Sequence, residues 1–75
     1  MNITIEALQE IFRSALDEPV VITEDTKKDD IEEWDSINHL NLIVELEDKL
    51  KISFSKEEIE KMDSVSKLIE ILKKK

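Results

Sequence analysis

The chain has 75 residues, a formal charge of −8, 40% charged residues, one His, and neither Gly nor Cys. That length can bury one small core, so residues 1–75 read as a single domain. Without Cys there is no disulfide and no thiolate metal site, and a lone His argues against a zinc centre, so no metal is expected. An acidic balance of this size disfavours nucleic acid and anionic membranes and favours basic protein surfaces as partners.

Abundant Leu, Ile, Glu and Lys, with a single Pro, point to an all-α fold. No apolar run reaches the length of a membrane span and no signal-peptide pattern opens the chain, so a soluble cytoplasmic protein is expected, and it is expected to be a monomer. Ile5, Leu8, Ile11, Phe12, Ala15 and Leu16 recur at helical spacing, which predicts a first helix from about Thr4 to Asp17. Asn2 or Thr4 can cap its start, and Pro19 forbids its continuation.

Glu18 to Trp34 forms a connection of unusual length for so small a domain. Its apolar residues, Val20, Val21, Ile22, Ile31 and Trp34, flank a polar centre, so it reads as a loop pinned to the bundle at both ends. A calcium loop is excluded, because the stretch from Asp25 lacks the central Gly and a closing Glu at the required spacing. Trp34 reads as an anchor packed on the helices, with recognition of a partner as the other use of such a ring.

A second helix is expected from Asn38 to Leu50, headed by Asp35-Ser36-Ile37. Asp35 can cap it, and a phosphate ester on a first-turn serine would suit the partial positive charge of a helix N-terminus. The plain alternative is that Asp35-Ser36 is a capping pair and nothing more. Winding the helix at 100° per residue places Leu42, Ile43, Leu46 and Leu50 on one stripe, the core face, with His39 among them. Ile37 and Val44, with Leu40 at the edge, fall on a roughly opposite stripe beside Asn41, Glu47 and Asp48. An apolar stripe ringed by acids suggests a docking face. Eight acids and no Lys or Arg lie between Asp29 and Asp48, which is either an address for basic partners or a solvated acidic face.

Ser55-Lys56-Glu57-Glu58 has the capping-box pattern and opens a short third helix held by Ile59 and Met62. A fourth helix starts near Ser64, turns Val65, Leu68, Ile69 and Leu72 inward, and ends in three lysines suited to a helix C-terminus. The expected architecture is a four-helix bundle with three longer helices, one short one and a long first loop.

From its first helix to its last, the chain resembles an acyl carrier protein. The likeness rests on Asp35-Ser36-Ile37 at the head of an acidic helix near mid-chain, followed by Leu42-Ile43, Leu46-Glu47-Asp48 and Ile52-Ser53-Phe54-Ser55. The resemblance implies a non-catalytic carrier. Ser36 would bear 4′-phosphopantetheine, transferred from coenzyme A by a phosphopantetheinyl transferase that recognises Asp35, and acyl groups would travel on its thiol as thioesters. Ile37, Asn41, Val44, Glu47 and Asp48 would meet partner enzymes: the transferase, an acyl- or aminoacyl-activating ligase, an acyltransferase or a ketosynthase with basic docking surfaces. Leu42, Ile43 and Leu46, with His39, would line a space for an acyl chain.

Two departures from the housekeeping fatty-acid carrier stand out. Glu33-Trp34 precedes Asp35-Ser36 in place of Gly and a small residue, and Asn41 replaces an acid. Trp-Asp-Ser-Ile followed by Asn-His is similar to stand-alone carriers of specialised lipid, polysaccharide or secondary-metabolite pathways. A stand-alone aminoacyl, peptidyl or D-alanyl carrier is an alternative. So is an unmodified helical adaptor in which Ser36 only caps, and there Ser36→Ala would cost about 1 kcal/mol of cap stability.

Overall fold

A computed structural model describes residues 3–75. Thr4 starts α1, Ile5–Leu16, by accepting a hydrogen bond from the Ala7 N–H at 3.1 Å. Asn2, the other candidate cap, lies outside the described residues. The helix closes on Asp17 in the left-handed region (φ 54°), two residues before Pro19. Leu8, Ile11, Phe12 and Leu16 are buried, and Ile5 and Ala15 pack beside them. The 3.6-residue period of the sequence is thus realised as one apolar face.

Two polar side chains of α1 lay the following segment along the helix. Arg13 Nε donates to the Val20 carbonyl at 2.9 Å, and Gln9 Oε1 accepts from the Ile22 N–H at 3.0 Å. Ile22 is buried in consequence, whereas Val21, expected among the loop's apolar anchors, turns outward. A turn follows in which the Thr26 hydroxyl accepts from the Thr23 N–H at 2.8 Å. The loop is then held at its centre as well as at its ends. The Lys28 N–H donates to the Asp63 carbonyl (2.8 Å) and the Val65 N–H to the Thr26 carbonyl (2.9 Å), with an isolated antiparallel bridge between Lys27 and Ser64. A 3₁₀ turn, Lys28–Asp30, is closed by the Asp30 carboxylate accepting from the Lys27 N–H. These bonds satisfy backbone groups that a freely running loop would leave to water.

The remaining helices are α2, Ser36–Leu50, α3, Lys56–Lys61, and α4, Val65–Lys73. The all-α bundle expected from the sequence is therefore present. Leu42, Ile43 and Leu46 of α2 pack with α1, and Val65, Leu68 and Leu72 of α4 close the same core with Met62. Ile69 and Ile59 sit at its margin, partly buried. Lacking Gly, the chain ends α2 on Lys51 in the left-handed region (φ 56°), its N–H donating to the Glu47 carbonyl.

At the head of α3 the capping box forms as expected. Ser55 Oγ accepts from the Glu58 N–H (3.1 Å) and Glu58 Oε1 from the Ser55 N–H (2.9 Å). Lys75 Nζ reaches the same carboxylate at 2.8 Å and lies over the Phe54 ring. The hydrogen bond from Lys75, then that from the Ser55 backbone, holds the Glu58 carboxyl below its ordinary range. A carboxyl depressed in the folded state adds stability above its unfolded pKa and loses it as pH falls through the folded one. Lys75→Met is therefore expected to lower Tm at neutral pH by an amount that shrinks on acidification below the usual carboxylate range. Melts across pH check this, and a wild-type-to-variant gap independent of pH would refute the linkage.

Candidate functional site at the head of the second helix

Asp35 caps α2. Its backbone is extended, and its Oδ1 accepts from the Asn38 N–H at 2.8 Å. Ser36 is therefore the first helical residue, two positions earlier than the sequence pattern placed the start, and its side chain is exposed. By helix geometry the N–H groups of Ser36 and Ile37 have no intrahelical acceptor and point out of the same end. An exposed primary hydroxyl beside open N–H donors is the arrangement a phosphodiester fits, with charge favoured by the helix dipole.

Two side-chain bonds, each spanning five residues, close across this turn. Trp34 Nε1–H donates to His39 Nδ1 at 2.9 Å, and the Asn38 amide donates to the Glu33 carbonyl at 2.7 Å. Trp34 is only 2% exposed and meets Phe12 edge-on, with ring centroids 4.9 Å apart and planes at 88°. It is the anchor rather than an exposed recognition ring. His39, half-buried, also reaches the Ile59 carbonyl through Nε2 at 2.8 Å. With Nδ1 accepting, the proton is on Nε2, so the ring is a neutral imidazole bridging Trp34 to α3.

Along α2 the two stripes separate as expected. Leu42, Ile43 and Leu46 are buried, while Ile37, Leu40 and Val44 are 74%, 59% and 63% exposed. Asn41 and Asp48 lie exposed among them. Glu47 is half-buried and has a structural task, for its Oε2 accepts from the Phe54 N–H at 2.9 Å and ties down the segment leading to α3. Glu45 is likewise engaged, accepting from Ser14 Oγ at 3.2 Å and pairing with Lys49 at 3.6 Å. Asp48 is thus the acid of Glu45, Glu47 and Asp48 that shows no such engagement. Among the described residues no group of His, Asp or Glu is placed to hold a metal ion, and no helix is long and apolar enough to cross a membrane.

The sequence pattern of the phosphopantetheine attachment site family matches residues 6–72. The chain belongs to the acyl carrier protein family. It is similar to the holo acyl carrier protein from Geobacter metallireducens, solved by NMR in solution, with 42% identity and a TM-score of 0.84 over 96% of this chain and 84% of that one. Among curated proteins no sequence matches significantly. An acyl carrier protein is a carrier and not an enzyme, and its prosthetic group is covalent 4′-phosphopantetheine. Its partners are the phosphopantetheinyl transferase and acyl-handling enzymes.

Sequence reasoning singled out Ser36, Asp35 and both stripes of α2, but not the clamps that hold the turn. The only trace of those clamps is that Glu33 and Asn38, and Trp34 and His39, stand five residues apart on either side of the cap.

Proposed function

We propose that Ser36 is the attachment residue and that the outward face of α2 is read by the enzymes that load and unload the carrier. The observation that carries this reading is the exposed Ser36 side chain at the first position of a helix capped by its neighbour. The arm supplies a terminal thiol on which acyl groups are held as thioesters. Ser36 contributes the hydroxyl, and Asp35 fixes its position by capping and offers the transferase a carboxylate beside it. Ile37, Asn41, Val44 and Asp48 form the docking face, with Glu47 at its edge. Leu42, Ile43 and Leu46 fill the interior behind Ser36, and a cargo chain folded inward would part these side chains, with His39 at the rim. Glu33-Trp34 ahead of the cap, and Asn41 on the docking face, support a role in a specialised lipid, polysaccharide or secondary-metabolite pathway.

The test is direct. Apo protein incubated with coenzyme A, Mg²⁺ and a broad-specificity transferase is expected to gain the mass of one phosphopantetheine, mapped to Ser36 by fragmentation. Unchanged mass with several such transferases would overturn the assignment.

For the docking face, Asp48→Lys is expected to lower transferase kcat/KM roughly two- to fivefold at low salt, the range of one exposed ion pair, with the gap closing as salt rises. Turnover indifferent to this change at low salt would remove the electrostatic part of the account. Glu47→Lys is a poorer probe, because it also breaks the bond to the Phe54 N–H.

A further inference from the structure

His39 joins two parts of the molecule that nothing in the established chemistry of a carrier requires to be joined. On one side its Nδ1 accepts from Trp34, whose neighbours Asp35 and Ser36 form the turn; on the other its Nε2 donates to Ile59 of α3. The second bond matters because α3 is weakly held. It is six residues long, none of its residues is fully buried, and among the described residues the Ile59 carbonyl otherwise receives only a long 3.4 Å bond from the Met62 N–H. Elements of this kind open first.

The chemistry of the ring makes the two bonds interdependent. A neutral imidazole has one donor and one acceptor, and which nitrogen does which is a single choice. While Nε2–H is committed to Ile59, Nδ1 must accept, which is what the indole N–H needs. Each bond also polarises the ring in favour of the other. If α3 lifts away, the ring is free to turn or to move its proton to Nδ1, where it would face the Trp34 donor and break the clamp.

We propose that His39 is a positioning residue that couples the seating of α3 to the attitude of the Ser36 turn. Whatever displaces α3, whether cargo or a docking enzyme, loosens the Trp34 clamp, and by reciprocity loosening the clamp unseats α3. The functional sense of this coupling rests on the reading of Ser36 as the attachment residue.

The experiment has three readouts. Imidazole ¹⁵N shifts of wild-type protein are expected to report one tautomer, Nε2–H, with a protected Trp34 indole N–H. In Trp34→Phe, which keeps an aromatic ring against Phe12 but removes the donor, hydrogen exchange at the Ile59 and Met62 amides is expected to speed up roughly 2- to 10-fold relative to Leu68 and Leu72 of α4. In Ile59→Ala, which loosens α3, exchange of the Trp34 indole N–H is expected to rise in the same way. An Nδ1–H or averaged tautomer in wild type, or α3 protection that in Trp34→Phe changes only in step with α4, would overturn the coupling. Failure of wild-type protein to gain mass at Ser36 would instead overturn the attachment assignment and leave the tautomer and exchange results standing.

Discussion

Ser36→Ala is expected to abolish the phosphopantetheine mass gain completely while leaving the melt of the apo protein close to wild type. The two halves of this result come from different atoms. Attachment needs an ester oxygen, and alanine has none. Stability needs the cap, and the cap is Asp35, whose Oδ1 accepts from the Asn38 N–H. Ser36 is a first-turn residue with an exposed side chain, and alanine at such a position is an adequate helix former. The expectation drawn from the sequence, that an unmodified adaptor would lose about 1 kcal/mol with Ser36→Ala, therefore moves one residue. Asp35→Ala is the substitution that should cost about 0.5–2 kcal/mol. Intact-mass measurement and thermal melts on both variants separate the roles. A Ser36→Ala protein that still gained mass would place the modification elsewhere, and one that melted far below wild type would mean the serine supports the fold.

The helices were legible in the sequence because their signals are local. Thr4, Ser55 and Ser64 stand where side-chain oxygens satisfy first-turn N–H groups, and apolar spacing in α1, α2 and α4 follows the helical period. The opposite stripes of α2 were legible for the same reason, since a rotation of 100° per residue fixes which side chains share a face. α2 begins two residues before the point the apolar pattern indicates, because Ser36 and Ile37 are exposed and so add nothing to the core pattern. What escaped the sequence is non-local. The pairing of Thr26 and Lys28 with Asp63 and Val65 uses backbone groups alone and leaves no side-chain signature. Glu47 looked like a surface acid because it stands beside the exposed Asp48 and one turn from the exposed Val44, and its bond to the Phe54 N–H depends on how the chain leaves α2. His39 fell on the core stripe as expected, but its two partners come from a loop and from another helix.

Trp34→Ala is expected to produce the largest loss of stability of any change near the site. Replacing a fully packed indole with a methyl group typically costs about 3–5 kcal/mol through lost burial and the cavity left behind. Trp34 is packed edge-on against Phe12, itself among the largest fully buried side chains, so few neighbours can move in to fill the space. The variant also strips His39 Nδ1 of its donor, an added cost that overlaps the first and is not summed with it. A domain of this length has a total margin of about 4–11 kcal/mol, so Trp34→Ala should consume much or all of it. In a domain of this size, a loss of about 3 kcal/mol corresponds to a Tm lower by at least about 12 °C. Trp34→Phe retains most of the apolar volume and should fall between, and the Phe-to-Ala step isolates packing from the indole hydrogen bond. If Trp34→Ala melted within a few degrees of wild type, the ring would not be holding the loop on the bundle. The turn that carries Ser36 would then be held by the Asp35 cap and the bond from Asn38 to the Glu33 carbonyl, without the indole clamp.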